Sequence, residues 1–485
     1  MKFNKKIKNK KYYNLDFNKL KDSIDFEQYQ EVENEKATNR IYLFKTVKIA
    51  LASLMVCLIA LFTIMFSTGR LALKTSTNTT KNPGSTNPIT ENEEIKPLKN
   101  VLYPSFSYKS NLVTTDYKDL FLSFTTKTTK ALFTDLNENQ VYSPLSLYMA
   151  MAMLAEGASN NTLTELLTFL GVDSKEELST MMQKIYEKNY FEEISYKGQN
   201  NDKVIDKLYL KNSLWMNKTS NVKDLYVTRL QTKYYSEVFK EDFSDAKTAD
   251  AICNWLNKNT EGFLNVKPED FILNPTMFLS LFNTIYFKGS WNVSYSSYGK
   301  ETFFGSDGNV ETDFIAASKY GKLVEKLQYT MFTDYLSDSK ISYTMIMPTA
   351  KYSIEYIFNN YLNDVIKLIN NENILTTKVN VILPKFDIKS SYKNIKEQLT
   401  PLGLSETFGP YPDLSYMTDT SVFVSAVIQN ARIALDEKGI EAAAFTQIAL
   451  DESASDKAVK FNLPFIYVLS NSDGIPLFIG LVNNF

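Results

Sequence analysis

Between Ile49 and Gly69 the chain reads "IALASLMVCLIALFTIMFSTG", 21 residues without a charge. A helix of that length covers a hydrocarbon core of roughly 30 Å. Anything that folds around a soluble core must therefore lie to one side of it. The polar region ahead is too long for a secretory leader, and no small-residue cleavage site follows. Arg40, Lys45 and Lys48 precede the run, Arg70 and Lys74 follow it, and the chain opens with "MKFNKKIKNKK". That balance favours an N-terminus inside. The expected organisation is a cytoplasmic tail over 1–44, a single transmembrane helix over 45–69 and a flexible extracellular linker over 70–111. Residues 112–485 form the folded domain, on the outer face of the cell membrane. The linker contains "KTSTNTTKNPGSTNPITENEEIKP", too poor in large apolar residues to offset its chain entropy.

Composition narrows the chemistry. The net charge is −2 with signs well mixed, which gives no electrostatic footprint for nucleic acid. There is no histidine, so Ser-His-Asp and Cys-His sites and imidazole metal ligands are excluded. Cys57 and Cys253 are the only cysteines, too few for a disulfide framework or a thiolate metal site. Cys253, beside Trp255 in a helical pattern, reads as core packing. No cofactor and no metal are expected.

Helical patterns come first along the folded part. "DLFLSFTTKTTKALF" spaces Leu120, Phe121, Phe124, Leu132 and Phe133 along one face. "PLSLYMAMAMLAEGA" is apolar nearly all round, as a buried helix is, and "NNTLTELLTFLG" ends at Gly171. Strand-like runs dominate later: "TMFLSLFNTIYFKG", "SYTMIMP", "KVNVILPKF", and "FIYVLSNSDGIPLFIGLV" with its Asp473-Gly474 turn. The class is α+β, with largely antiparallel sheets.

The order and wording of these pieces resemble the serpin family. "VYSPLSLYMAMAMLAEGASNNTLTELLTFLG" is similar to its second and third helices, and "FNTIYFKGSW" to the central strand of its large sheet. "AICNWLNKNTEGFL" resembles the helix across that sheet. "LPKFDIKSS", "PDLSYM", "VSAVIQNARIALDEKGIEAAAFT" and "FNLPFIYVLSNSDGIPLFIGLVNNF" follow in order. The resemblance implies a large, mostly antiparallel sheet with smaller sheets, about eight or nine helices and an exposed reactive loop. It also implies an inhibitor of serine proteases, not an enzyme, that acts as a monomer.

In that family the segment after the hinge inserts into the large sheet once cleaved, so alternate residues must tolerate burial. The hinge here is Glu437, Gly439, Ile440, Glu441, Ala442, Ala443 and Ala444. One face of the segment carries Ile440, Ala442, Ala444, Thr446, Ile448 and Leu450, none of them charged. The other carries Glu441, Ala443, Phe445, Gln447, Ala449 and Asp451. A charge on the first face would cost several kcal/mol on burial without a partner. Ile440 departs from the small residue usual at its position but is apolar, so insertion is expected. A family member whose loop never inserts, serving as a carrier, chaperone or adhesive surface protein, stays open.

Counting along the family pattern places the reactive bond at Ser453-Ala454, with slippage to Leu450 or Glu452 open. A small bait residue suits elastase-like or subtilisin-like serine proteases rather than trypsin-like ones. The implied mechanism is suicide inhibition through an acyl-enzyme. The family commonly has a histidine under the sheet, where this chain has Gln429, expected to face Ser143, Ser146 and Asn283. Glutamine both donates and accepts without titrating, so sheet opening is expected to vary little with pH near neutrality.

Overall fold

Why the apolar runs of the last 370 residues become two sheets rather than one follows from their connections. The computed structural model describes residues 95–98, 117–197, 203–270, 273, 275–336, 341–369, 371–440 and 457–485. The compact unit spans Glu93–Phe485. The expected tail, membrane helix and most of the linker lie outside the described residues. Among those described, no helix is long and apolar enough to cross a membrane.

Eight α-helices occur among the described residues. Helix α1 (Lys118–Leu132) and the strand β1 (Gln140–Tyr142) lead to α2 (Pro144–Gly157), where Ser143 caps the first turn by accepting from the Ser146 amide. Every residue of α2 except Ala150 is buried, which explains its lack of a polar stripe. Helix α3 (Asn160–Leu170) stops at Gly171, whose φ of 74° is the left-handed cap that glycine adopts without strain. Helices α4 (Lys175–Asn189) and α5 (Asp224–Lys233) pack beside α2, and α6 (Ala246–Lys258) stands apart from them. Helix α7 (Ile354–Lys367) packs against α1, and α8 (Lys396–Leu399) is one turn.

The first sheet carries the "FNTIYFKGS" run as β5 (Leu279–Ser290). It pairs antiparallel with β3 (Lys203–Asn217), which is itself flanked by β2 (Phe191–Lys197) and, in parallel, β4 (Ser236–Glu241). On the other side stand β12 (Gln429–Leu435) and β11 (Phe386–Tyr392), antiparallel to each other. Between β12 and β5 sits a two-residue strand, β13 (Gly439–Ile440), antiparallel to both. Strands β5 and β12 thus run parallel, and no ladder joins them directly among the described residues.

Among the described residues the second sheet has nine strands. In chain order its other members are β6 (Ser296–Gly305), β7 (Gly308–Glu325), β8 (Tyr329–Tyr335), β9 (Ser342–Pro348) and β10 (Thr376–Pro384). It also holds β1 and β14 (Ala458–Lys460), with the late hairpin β15 (Phe465–Ser470) and β16 (Pro476–Val482). The Gly474 turn joins the last two, with φ of 79°. Pairing is antiparallel throughout this sheet except for β10 with β14. Counted by strands, the sheet that receives the hinge is therefore the smaller of the two.

One face of the hinge sheet packs on α2 and the main core. The other carries a separate cluster, in which Trp215, Phe239 and Phe282 of the sheet meet Ile252, Cys253, Trp255 and Leu256 of α6. Cys253 is buried there, and that burial pushes its thiol up to about 11. This agrees with a packing role. One boundary differs from expectation. Residues Ile95–Leu98, assigned from composition to the flexible linker, belong to the compact unit, because Ile95 gives the segment one apolar side chain to bury against the α6 cluster.

Candidate functional site

The hinge begins as a tight turn. The Asp436 amide donates to the Gly439 carbonyl at 3.0 Å, and the Asp436 carboxylate accepts from the amides of Lys438 at 2.8 Å and Gly439 at 3.2 Å. The chain then enters the sheet. Gly439 lies opposite Ser290, and Ile440 lies between Gly289 of β5 and Leu435 of β12. Ile440 is only 2% exposed, so its bulk is already accommodated at the mouth of the seam. Gly439 is required by close approach: a Cβ there would lie 2.0 Å from the Gly289 carbonyl oxygen.

Three bonds tie the turn to the segment after β5. Trp291 Nε1 donates to the Asp436 carbonyl at 2.9 Å, the Trp291 amide to Lys438 at 2.9 Å, and the Tyr295 amide to Glu437 at 2.8 Å. The Glu437 carboxylate also meets Lys385 at 3.2 Å, a half-exposed pair worth little by itself. Beneath Trp291 is a group the sequence reading missed. Lys319 of β7 and Asp334 of β8 form an ion pair of 2.9 Å, with side chains 2% and 4% exposed. The Lys319 ammonium also donates to the Val293 carbonyl and lies 4.4 Å from the Tyr295 ring centre. Tyr295 donates its hydroxyl to Asp334 at 2.9 Å. Burial pushes the Lys319 ammonium below its ordinary value, and Asp334 partly offsets this. The signal was present but faint: Lys319 shares the inward parity of Ile315 and Ala317 along β7.

The four residues expected to control opening meet around the first turn of α2, in two halves. On the β12 side, Gln429 donates its amide to the Ser143 carbonyl at 2.9 Å, while the Ser143 hydroxyl donates to Leu477 at 2.6 Å. On the β5 side, the Ser146 hydroxyl reaches the Asn283 carbonyl at 3.5 Å. The Asn283 amide donates to the Asn212 side-chain oxygen at 2.5 Å, a partner absent from the sequence reading. The two halves face each other across the seam, joined through α2, with no direct bond between them among the described residues. Among those residues Gln429 Oε1 and Asn283 Oδ1 are both buried without a hydrogen-bond partner.

Past Ile440, residues 441–456 lie outside the described residues. Glu441, Ala442, Ala443, Ala444, Thr446, Ile448, Leu450, Ser453 and Ala454 fall there. The chain is described again from Lys457, and β14 pairs in parallel with β10, Val459 opposite Val381. The loop is thus anchored at both ends, on two different sheets. Among the described residues no cluster could hold a metal ion.

Comparison with known proteins agrees with this geometry. The family model described as "Serpin (serine protease inhibitor)" matches residues 121–485. The chain is 29% identical over 370 residues to Serpin A3-1 of Bos taurus, covering 72% of this chain and 84% of that one. Intracellular coagulation inhibitor 2 of Tachypleus tridentatus is 28% identical over 370 residues, with 72% and 86% covered. Among solved structures, tengpin, a thermophilic serpin in its native state, superposes with a TM-score of 0.67 at 25% identity, covering 77% of this chain and 95% of that one. The matched family is described as serine protease inhibitors and the Tachypleus relative is named an inhibitor, so the chain is not an enzyme. With a family model covering three quarters of its length, a hinge seated between two parallel strands and a loop anchored on both sheets, the chain belongs to the serpin family.

Proposed function

We propose that this protein is a suicide inhibitor that traps a serine protease as an acyl-enzyme, displayed outside the membrane by the apolar run before residue 70. The protease serine attacks the carbonyl carbon of Ser453, and the peptide bond to Ala454 breaks, releasing a new amino terminus. The freed segment then enters the seam between β5 and β12. Dragging the protease along distorts the groups that deacylation needs.

The observation that carries this reading is the register of β13. Extended residue by residue, it sets position 442 between Phe287 and Ile433, and position 444 between Ile285 and Ala431. All four neighbours are buried and apolar, and the loop offers alanine at both positions. Position 446 falls between Asn283 and Gln429, where two buried oxygens lack partners and the loop offers threonine. A hydroxyl can donate to either oxygen. Small apolar residues meet apolar neighbours, and the polar one meets polar neighbours. A carrier whose loop stays outside has no need of such a match.

The small residue ahead of the bond suits elastase-like or subtilisin-like proteases. Mixing the full-length chain with one of each and running a denaturing gel tests the reading. A covalent band at the summed mass, with a released peptide beginning at Ala454, is the expected result. Cleavage with no complex, together with no rise in melting temperature of the cut protein, would show a loop that does not insert.

A further inference from the structure

The outer edge of β4 closes the hinge sheet on the side away from the seam. Among the described residues β4 pairs only with β3, so its other edge would be a row of unpaired backbone groups. Leu98 comes to that edge and donates its amide to the Val238 carbonyl at 2.8 Å. Three residues earlier, Ile95 packs into the cluster between the sheet and α6. The same short segment thus touches β4 through its backbone and the α6 cluster through a side chain. Helix α6 is held to β4 by one more bond, Trp255 Nε1 to Glu237 at 3.0 Å.

That cluster also spans the seam. It includes Phe282 of β5 and, partly buried, Ile428 just before β12. On this face α6 therefore covers the gap that an entering strand must occupy. A strand needs about 4.8 Å of lateral room, so β5, β3 and β4 must slide away from β12 beneath α6, which contacts both sides of the gap. Any contact that fastens α6 and β4 together opposes that slide.

We propose that Ile95–Leu98 is a clasp, clipping the chain that enters the domain onto β4 and α6 and so retarding expansion of the sheet while the loop is uncleaved. The clasp rests on the insertion reading only for the direction of its effect. It uses two distinguishable contacts, the Leu98 amide and the Ile95 side chain. The Leu98 side chain is largely exposed, so Leu98→Pro removes the donor and little else. Ile95→Asp places a charge against the apolar cluster.

The full-length chain, uncleaved and held warm in detergent, provides the test. The readouts are the rate at which it gains a heat-resistant form and the protection of the Leu98 amide from deuterium exchange. Leu98→Pro and Ile95→Asp should each speed conversion by about tenfold, the scale of one lost contact of this size. Lys96→Ala, at an exposed side chain, should leave the rate unchanged. A rapidly exchanging Leu98 amide, or both clasp variants converting at the wild-type rate, overturns the proposal. Faster conversion of the variants in a chain that never forms a covalent complex would support the clasp while the inhibitor reading fails. Covalent complexes with no change in conversion would do the reverse.

Discussion

The indole nitrogen of Trp291 donates to the carbonyl oxygen of Asp436 at 2.9 Å, so the first residue of the hinge turn hangs from the residue that follows β5. On the proposed mechanism, the loop that enters the sheet alongside β5 is thereby tethered next to that strand before entry begins. The tether spans 145 positions of sequence and joins two backbones through one side chain. The entry point is fixed by this bond and by the two amide donors beside it, while the rest of the loop has its second anchor at β14 on the other sheet.

Gly439→Ala should separate inhibition from simple cleavage. The added methyl would meet the Gly289 carbonyl oxygen and the Ser290 Cα, both backbone atoms that cannot rotate away. The hinge must then leave its place in the sheet. Insertion slows while acylation is untouched, so a larger share of encounters should end in cleaved inhibitor and free protease. Titrating protease activity against inhibitor should raise the number of inhibitor molecules consumed per protease from near one to several. An unchanged stoichiometry would mean that the seam widens freely at this point.

Much of this architecture is legible in the sequence because it rests on local patterns. The β-branched and aromatic content of "FNTIYFKGS", the all-apolar "PLSLYMAMAML" and the Asp473-Gly474 turn each determine their element from nearest neighbours alone. The hinge turn at Asp436–Gly439 is equally local. What escapes is long-range. Lys319 and Asp334 sit on separate strands, and only the pairing of β7 with β8 brings them beneath Trp291. Asn212 becomes the partner of Asn283 only through the β3–β5 register. Ile95 is one apolar residue in a polar run, so its docking depends on a cluster assembled from β3, β4, β5 and α6.

Thr446→Val should leave the uncleaved protein almost unaffected and weaken the inserted form. If the loop inserts as proposed, the β13 register carried onward would set this residue between Gln429 and Asn283, where a hydroxyl can satisfy one buried oxygen and a methyl cannot. The loss is that of one buried hydrogen bond, about 1 kcal/mol. Denaturant unfolding of the cut protein should record it, with the uncut protein as control. Equal losses in both forms would place the threonine elsewhere.

The Lys319–Asp334 pair gives a prediction of sign as well as size. Lys319→Met alone leaves the buried Asp334 carboxylate with the Tyr295 hydroxyl and the Tyr335 amide but no cation beside it, and should cost about 3–5 kcal/mol. Adding Asp334→Leu removes the stranded charge and should recover most of that stability. Recovery of stability without recovery of inhibitory stoichiometry would identify the pair as holding the Trp291–Tyr295 segment against the hinge. Chemical denaturation of the two variants, beside the protease titration, checks both halves.

Acid sensitivity should have a component at Glu165 on α3. Burial alone would raise this carboxyl, but bonds from the amides of Glu406 and Thr407 and the hydroxyls of Thr407 and Ser405 outweigh it. Its pKa in the folded state therefore lies below the ordinary 4.5. The unfolded chain binds the proton first as pH falls, so the stability contributed by the carboxylate is complete above that ordinary value. It is lost as pH drops through the lower, folded value. Glu165→Gln should be less stable near neutrality, since an amide cannot accept all four bonds, yet should lose less on acidification over this window. Melting curves between pH 6 and pH 3 should converge for the two proteins. Parallel curves would mean that the 405–407 turn takes its order from its packing on α3, and that the carboxylate adds nothing of its own.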